Sequence, residues 1–223
     1  ELAVYRYALD SEQIYDLYYA QPVTARMPLN DRPASDSFVN TAEVTSLDDG
    51  VCAGTGCPAA GGLGLLDQAV EFGGVDDVIK VPNRDVTSDY MVSFWMNSTC
   101  QNCGVYSLYP TTPGNTAMQQ VYLRNGNVCA QAASTEVCST GAGISDGRWH
   151  SVLYANNNGA TNLWVDGVIV DSRSSGGMVT ASTAAEVRLG FAINGGEDYY
   201  TGLLDDVRVF RYTLSTADIL NVI

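Results

Sequence analysis

Asn162-Leu-Trp-Val-Asp-Gly-Val-Ile-Val-Asp171 sets an Asp-Gly pair between two short runs of β-branched and aromatic residues. Asp-Gly accepts the positive φ values of a two-residue turn, so the stretch reads as a β-hairpin. Asn125-Gly126 sits between two similar runs. From Ala69 onward, runs rich in Val, Ile, Tyr, Phe and Trp are broken by turn residues at short spacing, the mark of consecutive strands. Strands are expected over 69–73, 77–81, 90–97, 104–109, 119–124, 127–132, 149–155, 161–165, 168–172, 186–192 and 203–211. No long helical period crosses this body, so the expected fold is all-β, an antiparallel two-sheet jelly-roll sandwich.

Composition narrows the functions open to such a fold. Acidic residues outnumber Lys and Arg by 25 to 11, a net charge of −14. That charge repels phosphate backbones and anionic membranes, so nucleic acid is not an expected partner. One histidine among so many carboxylates favours a hard cation such as calcium over zinc or copper. No apolar stretch nears the roughly 18 residues of a spanning helix, so membrane insertion is not expected.

Six cysteines fall in close pairs, Cys52/Cys57, Cys100/Cys103 and Cys129/Cys138. This pattern is expected to form disulfides in an oxidising compartment, which makes the protein extracellular or cell-surface. The rival reading is a zinc site at Cys100/Cys103, for which a second matching pair is missing. Asn97-Ser98-Thr99 is an N-glycosylation acceptor if the chain passes through a eukaryotic secretory pathway.

The two ends resemble each other. Leu2-Ala-Val-Tyr-Arg-Tyr-Ala-Leu9 aligns with Val207-Arg-Val-Phe-Arg-Tyr-Thr-Leu214, and the match continues through Ile14 and Ile219. Asp10 with Gln13, and Ser215 with Asp218, each offer an N-cap and its third-position partner, so short helices are expected at both chain ends. Residues 1–21 then read as a strand-helix segment like the end of a preceding repeat, 22–60 as linker and first strands, and 61–223 as the sandwich. A single element duplicated at this spacing points to neighbouring copies, in tandem or as a polymer, joined through Val4, Tyr5, Tyr7, Leu9 and Ile14.

Three segments together resemble the laminin-G-like branch of the concanavalin A-like lectin and glucanase superfamily. They are Val70-Glu-Phe-Gly-Gly-Val-Asp-Asp-Val-Ile-Lys-Val81, Asp146-Gly-Arg-Trp-His150 with Leu163-Trp-Val-Asp-Gly167, and Gly202-Leu-Leu-Asp-Asp-Val-Arg-Val-Phe210; Ser93-Phe94-Trp95 matches an aromatic strand. The resemblance covers about residues 60–223. It implies one concave sheet face and a variable rim of loops, with glycans, proteins or cell surfaces as partners. It also implies a structural calcium held by Asp205 and the carbonyl of Gly74, with Asp77 or Asp76 as further ligands.

Alternation supports attention to Asp205, because it shares a strand face with Val207 and Val209, and a carboxylate among core valines needs partners. Glu197, Asp198, Tyr199 and Tyr200 lie in and after a Gly-rich stretch and read as an exposed sugar-binding loop, with Tyr106, Tyr109 and Trp164 as further stacking candidates. His150 has no partner constellation and reads as a packed, hydrogen-bonded ring. Glycoside hydrolysis needs two carboxylates roughly 5–10 Å apart. The Glu-x-Asp-x-x-Glu pattern of the hydrolase branch is missing, so no catalytic residue and no enzyme activity is expected. Function then reads as an adhesive or structural repeat unit of an extracellular fibre, stalk or array, with a calcium-dependent carbohydrate-binding module as the alternative.

Overall fold

The Asp166-Gly167 pair turns the chain as its residue types require, with φ of 50° and 76°, and Asn125-Gly126 does the same at 51° and 74°. Asn158-Gly159 makes a third such hairpin, at 48° and 89°. Positive φ at both central residues gives a turn whose twist matches that of the flanking strands, which fixes register. A computed structural model describes residues 23–41, 49–65, 67–86, 89–110, 119–141, 143–174, 176, 182–193 and 197–210.

These residues form two antiparallel sheets facing one another. The first runs in spatial order β14 (Val168–Arg173), β13 (Ala160–Val165), β12 (Trp149–Asn157), β7 (Tyr90–Asn97), β18 (Thr201–Phe210), β5 (Gln68–Gly73) and β4 (Ala59–Leu63). β1 (Val23–Met27) pairs with the last residues of β18, beyond the stretch that β5 takes. The second sheet runs β11 (Thr135–Cys138), β10 (Asn127–Ala132), β9 (Gln119–Arg124), β8 (Asn102–Pro110), β15 (Ser182–Leu189), β6 (Ile79–Val86), β3 (Gly50–Val51) and β2 (Ser37–Phe38). A small hairpin of β16 (Phe191–Ile193) and β17 (Glu197–Tyr199) forms a third layer.

Alternation decides which side chains meet between the sheets. Val92, Phe94 and Met96 of β7, Val152 and Tyr154 of β12, and Val207 and Val209 of β18 face Val105, Val121, Leu123, Val187 and Leu189 of the second sheet in one continuous buried core. The described part of 22–60 belongs to it, since Ala25, Met27, Leu29 and Phe38 are fully buried there. A separate apolar cluster of Met91, Leu153, Ala155, Trp164 and Phe210 lies on the opposite face of the first sheet.

The expected strand over 186–192 is two strands in two layers. Gly190 adopts φ +85°, and a Cβ there would sit 2.4 Å from the Phe72 ring, so the chain leaves the second sheet at this glycine and enters β16. The expected terminal helices, the linking residues Val4, Tyr5, Tyr7, Leu9 and Ile14, and the second copy beyond Phe210 lie outside the described residues. All three disulfides form as local pairs, Cys52–Cys57, Cys100–Cys103 and Cys129–Cys138, so Cys100 and Cys103 are bonded to each other. Among the described residues no helix is long and apolar enough to cross a membrane.

Candidate functional site

The outer face of the second sheet carries the candidate site. Ile79 and Val81 of β6 point into the core, as do Val187 and Leu189 of β15. Lys80 and Arg188 between them must therefore point outward. They are direct partners in the antiparallel ladder. Glu186, two residues from Arg188 on the same face, holds its guanidinium through Nε at 2.6 Å and Nη2 at 2.5 Å.

The β16–β17 hairpin forms one wall. It lies close on β8 because residue 104 is glycine: a Cβ there would meet the Ala192 amide nitrogen at 2.1 Å and the Asp198 carbonyl at 2.5 Å. Ala192 also packs against Tyr122 and Cys129, and the Ile193 amide donates to Gln120 Oε1 at 3.0 Å. The hairpin pairs Phe191 with Tyr199, whose ring centroids lie 5.4 Å apart. Phe191 meets Tyr109 edge-on at 6.3 Å, and Arg188 sits 3.7 Å over the Tyr109 ring. The Arg188 cation thus packs against the rings of Tyr109 and Phe191 at this wall.

The opposite wall comes from the loop closed by Cys52–Cys57 and the turn at Asp76. Thr55 Oγ1 donates to Asp76 Oδ2 at 3.1 Å, and the Val78 amide donates to the Gly56 carbonyl at 3.0 Å, tying the two segments together. Between the walls lies a pocket of about 290 Å³ whose lining includes Val51, Asp76, Lys80, Arg188, Phe191 and Tyr199. That is near the low end of the roughly 300–1,000 Å³ typical of small-molecule sites. Tyr199 is partly exposed beside it, while Phe191 is buried. An aromatic face, a carboxylate acceptor and two cationic donors together suit a polyhydroxylated ring, whose C–H face stacks and whose hydroxyls both donate and accept.

The residues read from the sequence fall in several places. Tyr199 lines the pocket, and Asp198 is half-buried on the same hairpin, where desolvation raises its carboxyl pKa. Tyr200 is not exposed. It is fully buried, packs edge-on against Phe72, and donates its hydroxyl to the carbonyls of Asn97 and Leu203. Tyr199 ends β17, whereas Tyr200 lies in the junction before β18 and turns into the core, so the two do not line one surface. Tyr106, Tyr109 and Trp164 are also buried. The Glu197 side chain lies outside the described set, and Asn97 is half-buried in β7 between β12 and β18.

The three residues expected around calcium are not brought together. Gly73 pairs with Thr201 and Val70 with Leu204, which puts Gly74 and Asp205 five positions apart along the ladder, roughly 17 Å. Asp77 accepts from the Gly73 amide, whereas Asp205 is fully buried and accepts from the Leu65 amide at 2.9 Å. The glycine beside Asp205 is Gly64, where a Cβ would lie 2.8 Å from its Oδ2. Gly74, Asp77 and Asp205 therefore do not fit one ion, and among the described residues no group of three or more His, Cys, Asp or Glu side chains converges as a ligand set.

Sequence reading passed over Lys80 and Arg188. A single signal was present, since Lys80 is the one lysine of the chain. They stand 108 positions apart in the chain (188 − 80), and only strand pairing brings them together.

Two packed sheets with a lined pocket on one outer face define a lectin-like β-sandwich. The profile of the Laminin_G_3 family, concanavalin A-like lectin/glucanases superfamily, matches residues 72–220, and the chain belongs to this family. Domain 4 of AbnA, a GH43 extracellular arabinanase from Geobacillus stearothermophilus solved with arabinotriose, superposes with a TM-score of 0.66 at 18% identity, over 91% of this chain and 98% of that one. A Trypanosoma rangeli sialidase in complex with sialic acid gives 0.65 at 11% identity, over 89% of this chain and 32% of the sialidase. The ligand binding domain of botulinum neurotoxin serotype D, in complex with N-acetylneuraminic acid, gives 0.59 at 14% identity, over 92% of this chain and 52% of that one. At these identities the likeness is one of fold. No curated protein sequence matches the chain.

Proposed function

We propose that the chain is a carbohydrate-binding module of a secreted or cell-surface protein, and that it binds sugar in the pocket between β6, β15 and the β16–β17 hairpin without turning it over. The observation that carries this reading is Tyr199 beside Lys80, Arg188 and Asp76 on the outer face of a sheet. A stacking ring and convergent donors and acceptors at a small pocket match a sugar ring better than an extended peptide. The glycans bound in the arabinanase-domain and toxin-domain structures support the class of ligand. Three disulfides support an oxidising compartment.

A glycan array probed with the wild-type chain and Tyr199→Ala, each with calcium and with chelator, tests this. Retention of a defined glycan set by the wild type, lost in a folded Tyr199→Ala variant, is expected. Equal binding by both proteins, or no glycan bound under either condition, would reject the reading. The calcium arm separately tests a structural ion.

A second reading, an adhesive unit in a repeating assembly, draws on the likeness of Leu2–Leu9 to Val207–Leu214. Val207–Phe210 is the end of β18, paired between β7 and β1. Deletion of residues 1–20 would reduce chain-to-chain association under this reading, and unchanged association would count against it.

A further inference from the structure

The charges at the pocket floor do not balance locally. Lys80 and Arg188 are directly opposite one another across β6 and β15, and both point out of the sheet. Like charges in that relation weaken a sheet rather than hold it. Arg188 is partly compensated, because Glu186 takes its Nε and Nη2. A guanidinium has five donors, and the Nη1 edge has no hydrogen bond among the described residues. Lys80, exposed beside it, has no carboxylate partner among the described residues either.

The nearest acid on the opposite wall does not fill this role. Asp76 is engaged by the Thr55 hydroxyl at the loop, and no ion pair joins it to Lys80. The chain carries 25 acids and could have set one opposite its single lysine. It sets an arginine there. Two cations side by side, one with a free fork edge and both next to Tyr199, match a planar carboxylate or a sulfate attached to a ring that stacks.

We propose that the pocket, taken as the carbohydrate site described above, selects an acidic sugar, whose carboxylate or sulfate group bridges Lys80 and Arg188. Tyr199 receives the ring, and Asp76 accepts from a ring hydroxyl. The anion relieves the cross-strand repulsion, so acidic sugars gain over their neutral parents at the same contacts. Because the pair is solvent-accessible, this gain shrinks as salt rises.

The test uses the full chain on an array that carries uronate-, sialate- and sulfate-terminated glycans beside their neutral parents, followed by titration calorimetry of the retained members. Acidic members are expected to bind at least roughly tenfold more tightly than their parents, the gain of one charge-assisted contact. Lys80→Gln should abolish that preference, Lys80→Arg should keep it, and Lys80→Gln should melt no lower than wild type, since it removes a like-charge pair. Retention of carboxylates alone, or of sulfates alone, identifies the source of the anion. Equal binding of acidic glycans and neutral parents, or an acidic preference that survives Lys80→Gln, would overturn this inference and leave the carbohydrate reading intact. Binding of no glycan at all would overturn both.

Discussion

His150 shows how one ring can join two loops. Its Nδ1 lies 2.8 Å from Asp166 Oδ2 in the Asp-Gly turn, and its Nε2 lies 3.1 Å from Asp146 Oδ1 ahead of β12. Carboxylates only accept, so both contacts are hydrogen bonds only when the ring carries two protons. Asp166 also accepts from the Ser151 amide, and Asp146 from the Arg148 amide, with the Arg148 side chain 3.7 Å away. Burial opposes the charge on the ring, but the hydrogen bonds and charges of Asp166 and Asp146 outweigh it and raise the pKa above its usual value. The His150 contact in turn holds the Asp146 carboxyl below the ordinary carboxylate range.

A folded-state pKa above the unfolded one gives stability that is complete below about pH 6.5 and lost as pH rises through the folded value. The melting temperature should therefore fall as pH rises above about 6.5, and His150→Gln should flatten that fall. An equally steep fall in the variant would show that the clamp is not its origin. His150 was legible as a hydrogen-bonded ring, because a lone histidine has few other uses. Its partners were less so, since Asp166 faces it only through the pairing of β12 with β13.

Elements carry the site through close approach. The β16–β17 hairpin approaches β8 closely over Gly104, and its Ala192 rests on Tyr122 and the Cys129–Cys138 pair. Backbone atoms stand where a Cβ at 104 would go, so no rotamer change can make room. Gly104→Ala is expected to lift the hairpin, weaken glycan binding by more than roughly tenfold and destabilise the fold by about 1–3 kcal/mol, as overpacking does. Calorimetry and denaturant titration read the two effects, and a variant that binds as wild type would show that the hairpin does not form the wall. Gly104 could have been marked in the sequence, because glycine inside a strand often signals close backbone approach. The strands from 69 onward were readable because β-branched runs and Asn-Gly or Asp-Gly turns coincide there. β1 to β4 were not, because Val23–Met27 and Ala59–Leu63 carry Pro, Gly and Ala in and around short runs whose burial comes from the core they join.

At the scale of the whole molecule, function follows from which strands become neighbours. β18 lies inside the first sheet although it comes last among the described strands, and β6 meets β15 across about 100 intervening residues. The fold was legible because its strands, hairpins and family-like segments are local. The pocket was only partly legible, through Tyr199 and Asp76, because its charges come together by long-range pairing. Strand pairing also separates Gly74 from Asp205, and core packing buries Tyr200 beside Tyr199. The most direct test of the proposed glycan site is an amide chemical-shift map of the isotope-labelled chain, titrated with a glycan that the array retains. Shifts concentrated at Val51, Asp76, Lys80, Arg188 and Tyr199 are the predicted result. Shifts confined to the first sheet or to the hairpin turns at Asp166 and Asn158, with this pocket unmoved, would contradict it.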